Sequence, residues 1–561
     1  MIPLSIRCGA VALAALFAAV SFADTPGIGR TKLIGHGWDI LASSPEELVE
    51  NAEAFAKSGL DGVAVVLGGV KADGKRYNMR GTTVDTGWTK EMIAPHIPAL
   101  QQLPDLPGLS ESLIMAWVAP RKRLAWTDDA AWANFAHNLG ILAWASAKSG
   151  LKGLIIDNED YPGSRQWYYD AEKDGPDYDA ACALSRKRGA EIGSAVFAEH
   201  PTARLLFFWI LSEHRPYFNC KDPVVEKRRI GDLWPAFVDG ILDVIPEGAM
   251  LVDGDEHAYF CDADSHGFYR HAWNVRQGAL ALLAPENRGK YAQHVSVSGG
   301  LYLDMYVNAD TKGCWYFGPG ADGLRVSKFG TNLSQAMMVA GEYVWIYGEK
   351  HMLIDWKRDA PHAGAGKDRR FAKIREEGRP TWNDVLPGFT ASVRAITDGE
   401  RLARETLSAD AAAGFAGEQL PKGKWGFWQH ERQSHGTRSV DAADVPFAGC
   451  EPSLVASNVT RGCYIKNVPT SAGRLYAVCG YMKGRGGITV TWESLDGKLT
   501  TEERNYALPF AAEGDGWQYA EMSVRVPPGV KTLVVHPGMS HRKDAGEVTK
   551  FAGIRVVEIR R

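Results

Sequence analysis

Short apolar runs that break off into acids recur through the first two thirds of the chain. The clearest is Gly153-Leu-Ile-Ile-Asp157-Asn158-Glu159-Asp160-Tyr161. Its apolar part shows no polar alternation, which is the pattern of a parallel strand covered on both faces. A strand of that kind in a (β/α)₈ barrel delivers the residues after its carboxyl end to the mouth of the barrel. If the strand runs on through the acids, Asp157 and Glu159 share one face and Asn158 and Asp160 the other.

Seven further apolar runs follow, and six of the eight end in at least one Asp, Glu or His. Leu33 to Asp39 exits through His36, Trp38 and Asp39, and a helix from Ser44 to Ala56 follows with a Ser-Pro-Glu-Glu start signal. Asp61 to Leu67 is next, with a long loop carrying Tyr77 and Trp88 before its helix. Ser112 to Val118 contains Trp117 and leads to a helix over 128–149. Ala203 to Leu211 carries Trp209 and runs into Ser212-Glu213-His214. Gly248 to His257 exits through Asp253, Asp255 and Glu256. His294 to Ser298 continues through Gly299 to Asp304, and Glu342 to Lys350 holds Trp345, Tyr347 and Glu349. Eight strands, each followed by a helical or long connection, predict an α/β fold: a closed (β/α)₈ TIM barrel over 24–407. Residues 408–424, rich in Ala and Gly, read as a linker. Short alternating segments from Trp425 onward predict an all-β, jelly-roll-like sandwich over 425–561.

The first 23 residues carry Arg7, an apolar run too short to span a bilayer, and small residues ending at Ala23. This is the form of a secretory signal peptide cleaved after Ala23, so the mature protein is expected outside the cytoplasm, secreted or periplasmic. No later stretch is apolar enough to cross a membrane. The formal net charge is −4 with no basic run, which argues against nucleic acid or an anionic membrane as partner. With 18 Trp and 19 Tyr there are aromatic rings available to stack on sugar faces as well as to fill a core. An exported chain permits disulfides, and Cys220 with Cys261, on loops after neighbouring strands, is the pair to test first. No Cys or His spacing fits a metal site, and no phosphate loop, nucleotide fingerprint or Ser/His/Asp elbow is present, so no cofactor is expected.

Acids at one end of the strands suit glycosidic hydrolysis, which needs one carboxylic acid to protonate the leaving oxygen and a second carboxylate to act on the other side. Glu159 is the candidate acid and Asp157 its partner, with Glu256 the candidate nucleophile if two carboxylates displace directly. His36, Trp38, Asp39, Trp117, Trp209, Asp255, Asp304, Trp345, Tyr347 and Glu349 are candidates for binding a carbohydrate substrate. The stretch from Gly153 to Pro162 resembles the strand-four signature of family 18 glycoside hydrolases. That resemblance implies that Asp157 orients an N-acetyl group and Glu159 is the acid. Ile155 stands where that family has a further Asp, and Asn158 where it has an aromatic residue. Asn158-Glu159 is equally similar to the Asn-Glu of the large retaining glycosidase clan, which implies Glu159 as acid/base and a Glu after strand seven, where this chain has Asp304. The strand and turn order from Cys463 to Val556 resembles the jelly-roll carbohydrate-binding modules of secreted glycosidases. The competing expectation is a non-catalytic glycan-binding protein on a barrel that has lost its acids.

Overall fold

Each apolar run of the first two thirds becomes a strand of one parallel sheet. The computed structural model describes residues 31–399 and 425–559 apart from short internal stretches, the longest being 213–221, 308–316, 358–368 and 508–515. The strands are β1 (Lys32–Gly37), β2 (Gly62–Val65), β3 (Leu113–Trp117), β4 (Gly153–Asp157), β5 (Arg204–Phe207), β6 (Met250–Asp253), β7 (Val295–Val297), β8 (Gly300–Tyr302) and β9 (Tyr343–Gly348). They form a curled nine-stranded sheet in the order β8-β9-β1-β2-β3-β4-β5-β6-β7, with every neighbouring pair parallel.

The seventh expected strand is thus two strands. β7 pairs with β6 and β8 pairs with β9, at opposite ends of the sheet, and only Ser298 and Gly299 separate them in the chain. Ser298 N–H donates to the Asp253 carbonyl at 2.9 Å, and the next carbonyl, that of Gly299, accepts from Trp345 N–H at 3.2 Å. A side chain cannot stand at position 300. Its β-carbon would lie 2.7 Å from the Tyr259 ring and 2.9 Å from that of Trp345. The long loop after β2 holds a small hairpin, Gly68–Val70 with Arg76–Asn78, and buries Tyr77 and Trp88 edge to face.

The connections carry helices where the sequence has start signals. α1 (Pro45–Glu50) is closed by a capping box between Ser44 and Glu47, and α2 (Ala52–Ser58) continues it. α3 (Asp129–Lys148) starts at Asp128, whose carboxylate accepts from Ala131 N–H. α4 (Tyr178–Glu199) and α5 (Trp234–Val244) pack against each other at two glycines. A β-carbon at Gly240 would lie 1.9 Å from the Arg186 carbonyl oxygen, and one at Gly189 would lie 2.0 Å from that of Phe237. Backbone therefore touches backbone, and the apolar side of α5 (Phe237, Val238, Ile241, Leu242) is fully buried.

The last quarter is a β-sandwich. β10 (Gly426–Gln429), β11 (Thr437–Asp441), β12 (Ser453–Ser457), β13 (Gly462–Pro469), β14 (Leu475–Lys483), β15 (Gly487–Ser494), β16 (Leu499–Thr500), β17 (Tyr506–Ala507), β18 (Gln518–Arg525), β19 (Val530–Met539) and β20 (Val548–Ile559) form two antiparallel sheets. One has the order β10-β13-β19-β15-β16 with β17 also on β15, the other β11-β12-β20-β14-β18. Ile488, Val490, Trp492, Leu533 and Val535 from the first meet Val478, Met482, Met522, Val524 and Ile554 from the second. Met338, near the end of α6 (Arg325–Val339), joins that same apolar cluster. The expected signal peptide, the linker 408–424, Tyr161, Glu213 and Cys220 lie outside the described residues, so the Cys220–Cys261 pairing does too. Among the described residues no helix is long and apolar enough to cross a membrane.

Because α4 and α5 touch through backbone, Gly240→Ala must force them apart and is expected to cost roughly 1–3 kcal/mol, the usual range for overpacking. Urea unfolding followed by tryptophan fluorescence measures it, and an unchanged midpoint would mean that the helices yield without strain.

Candidate functional site

The acids at the carboxyl ends of the strands differ in burial. Aspartates 157, 253, 255 and 304 are all 2% exposed or less, whereas Glu159, Glu256 and Glu349 are half-buried. The shorter carboxylates hold the exits. Asp253, at the end of β6, accepts from the backbone N–H groups of Ile210 (3.0 Å), Leu211 (2.8 Å) and Ser212 (3.0 Å), and from the Ser212 hydroxyl at 2.5 Å. It also receives Asp255 N–H at 3.3 Å. Burial, with the Asp255 charge beside it, outweighs these donors and raises its carboxyl above the usual range.

Asp157 acts in the same way on its own strand. Oδ1 accepts Glu159 N–H at 3.0 Å, so β4 stops at Asp157 and the chain turns. Asp157 and Glu159 therefore do not share a strand face as the sequence pattern had it. The pairing with β3 ends at Trp117 and Asp157, and past it the Asp side chain captures the next free N–H. Asn158 faces inward, its amide donating to the Trp209 carbonyl at 2.9 Å. Asp255 sits in the left-handed region at φ 44° with Oδ2 2.7 Å from His271 Nδ1, just before the short turn Glu256–Phe260. Asp304 Oδ2 accepts Glu349 N–H at 2.8 Å, while Lys350 Nζ stands 4.0 Å from Oδ1. Burial first, and the Glu349 charge with it, raises the Asp304 carboxyl to about 6.

An aromatic floor lies beside the half-buried Glu349. Tyr347 lies between the imidazole of His36 (ring centroids 5.0 Å, 22° between planes) and Tyr302 (5.5 Å, 22°), with Tyr259 nearly parallel to it at 6.4 Å. Trp38 donates its indole N–H to the Tyr347 hydroxyl at 2.8 Å, and that hydroxyl donates to Glu349 Oε1 at 3.0 Å. Tyr259 is buried and its hydroxyl is held far above its ordinary range, by burial first and then by the charges of Glu256 and Glu159 among its neighbours. Glu349 thus meets Tyr347 directly, and the charges of Glu256 and Glu159 act on the neighbouring Tyr259. Burial lowers His36 to about 3, so its ring is neutral.

Two of the expected sugar contacts are fully buried. Trp345 is fully buried, stacked on Phe208 at 4.7 Å with 8° between planes, and its indole donates to the Gly254 carbonyl. Asp39 is also fully buried, with Oδ2 accepting from Leu353 N–H (2.7 Å) and Trp356 Nε1–H (2.9 Å), so it anchors the loop after β9. Trp117 and Trp209 are half-buried at the ends of their strands, Trp209 edge to face with Trp234. Tyr259 and Tyr302 are the residues that strand reading passed over. Tyr302 lies inside the quoted exit to Asp304, and Tyr259 follows Glu256 by three positions on one short turn, so helical spacing there would have flagged it.

No protein-family model and no curated protein matches the chain. Among solved structures, the enzymatically active domain of bacteriophage CBA120 tailspike protein 4 is 15% identical over 24% of this chain and 19% of that one, with a TM-score of 0.20. The CBM22-1 xylan-binding domain from Paenibacillus barcinonensis Xyn10C is 13% identical over 24% and 87% of the two chains, TM-score 0.19. TmCBM61, solved with β-1,4-galactotriose, is 14% identical over 25% and 99%, TM-score 0.18. At such scores these likenesses carry no argument about the site.

The raised Asp304 carboxyl has a consequence for stability. Its folded value lies above that of an unfolded Asp, so the stability linked to its proton is present below about pH 4 and is lost as pH rises through about 6, on the order of 3 kcal/mol in all. Asp304→Asn keeps an acceptor for Glu349 N–H and never ionises. The variant is expected to lack that decline, as denaturant midpoints across this pH window would show.

Proposed function

We propose that the protein is an exported glycoside hydrolase whose curled sheet is a closed (β/α)₈ barrel, with Glu159 as general acid. The observation that carries the reading is a group of packed rings, Tyr259, Tyr302 and Tyr347, with Glu349 hydrogen-bonded to Tyr347 and the charges of two further half-buried glutamates, Glu256 and Glu159, acting on Tyr259. Aromatic rings beside carboxylates suit a pyranose, which offers an apolar face to the rings and hydroxyls to the acids. Closure of the barrel is supported by the sheet order, since its two end strands β7 and β8 are successive in the chain with two residues between them.

In this reading Asp157 fixes the backbone of Glu159 and keeps a second negative charge near it, which favours the protonated acid. The second carboxylate comes from Glu256 or Glu349. The alternative, a glycan-binding protein without turnover, is favoured by strand seven, where the acid expected from the large retaining clan is replaced by the fully buried Asp304. Release of reducing sugar from N-acetylated and neutral glycans separates the two, and binding to many glycans with cleavage of none would sink the hydrolase reading.

Glu159→Gln keeps shape and hydrogen bonding but has no proton to give. Turnover should fall roughly 10² to 10⁴-fold on unactivated glycans while glycan affinity changes by no more than a few fold. Near full activity in that variant would move the proton donor off strand four. The sandwich is proposed as a separate glycan-binding unit beyond the 408–424 linker. A chain ending at Leu407 should keep turnover on small soluble substrates and lose it on polymers, through lost local concentration. Aggregation of that truncated chain, with Met338 uncovered, would instead make the sandwich a structural partner.

A further inference from the structure

Glu349 has its head group oriented by a chain of donors that runs one way. An indole N–H can only donate, so Trp38 occupies a lone pair of the Tyr347 hydroxyl at 2.8 Å. The tyrosyl proton is left for Glu349 Oε1, 3.0 Å away. Each donor polarises the next, and an ionised carboxylate is the acceptor that gains most at the end of such a chain. The backbone is held as well, through Glu349 N–H on the buried Asp304 carboxylate.

Position agrees with this. β4 and β9 stand four places apart in the sheet order, so in an eight-position barrel their exits face each other across the mouth, whereas β6 lies two places from β4 on the same side. Glu349 accepts from the hydroxyl of Tyr347, whose ring is 10° from parallel with that of Tyr259, and the Glu159 charge acts on the Tyr259 hydroxyl.

We propose that Glu349 is the partner carboxylate of Glu159, acting ionised on the sugar face opposite the leaving group, with Tyr347 and Asp304 as positioning residues. The assignment rests on the hydrolase reading above. In the first step a Glu349 oxygen bonds to the anomeric carbon while the bond from that carbon to the glycosidic oxygen breaks. That oxygen keeps the electron pair and takes the Glu159 proton. Water then attacks the same carbon and gives a proton to Glu159, and Glu349 leaves as a carboxylate with the ester electron pair.

The test uses full-length protein and 2,4-dinitrophenyl glycosides of glucose, galactose, xylose and N-acetylglucosamine. On the one cleaved best, Glu349→Gly is expected to lose at least about 10³-fold in kcat. Sodium azide should restore turnover and yield a glycosyl azide of inverted anomeric configuration. Glu256→Gly, whatever its turnover, should give no azide product. Azide product from Glu256→Gly instead, an inverted sugar product from the wild type, or near full activity in Glu349→Gln would overturn the assignment. Melting curves accompany each variant, and if Glu349→Gly unfolds, Glu349→Gln carries the same expected loss. Activity lost in Glu159→Gln on natural glycans but kept in Glu349→Gln fails this assignment alone. A wild type that cleaves none of these glycosides and no natural glycan fails the hydrolase reading itself.

Discussion

The mouth of this sheet depends on carboxylates buried under its own exits. Backbone N–H groups that leave a parallel strand have lost their ladder partner and must find another acceptor or water. Here Asp253 receives three of them from the chain after β5, and Asp157 and Asp304 receive those of Glu159 and Glu349. Hydrogen bonds to a charged acceptor are worth about 1.5–3 kcal/mol each, enough to hold an irregular segment in one conformation. Burying the acceptors opposes this, and at Asp253 and Asp304 burial is the larger influence on the carboxyl. The anchors are therefore strained electrostatically in order to keep the exits rigid.

Rigid exits place the longer acids. A glutamate one or two residues after an anchored position has a fixed backbone and a side chain long enough to leave the buried layer. Glu159, Glu256 and Glu349 follow three strands, and the rings of Tyr259, Tyr302 and Tyr347 pack on one another, with Tyr347 bonded to Glu349. The rings lower the polarity around the acids, and they are themselves tied down. Tyr347 is gripped by Trp38 at its hydroxyl and by His36 on one face. His36 is kept neutral by burial, so it adds no positive charge beneath the Tyr347 ring.

Much of this was legible along the chain. Strand positions followed from apolar runs without alternation, helix starts from Ser44 and Asp128, and the acidic character of the mouth from residues that end the runs. The change to alternating segments after Trp425 marked the sandwich. What failed was reading the strands past their last ladder bond: Asp157 and Glu159 parted because a side chain, rather than a neighbouring strand, took the free N–H.

The sequence by itself determined which residues enter the sheet and which acids stand at its carboxyl edge, because burial period and capping are local properties of the chain. Only the tertiary structure decided which of those acids are anchors, since at Asp253, Asp304 and Asp39 that turns on donors from other strand exits. Asp39 and Trp345 look as suited to sugar as Trp38 and Tyr347 when read in sequence. The loop at Leu353 and Trp356 claims Asp39, and the Gly254 carbonyl with the Phe208 ring claims Trp345. Tyr259 joins the floor for the converse reason, because a one-turn bend after Asp255 returns it beneath strands that the chain reaches far apart.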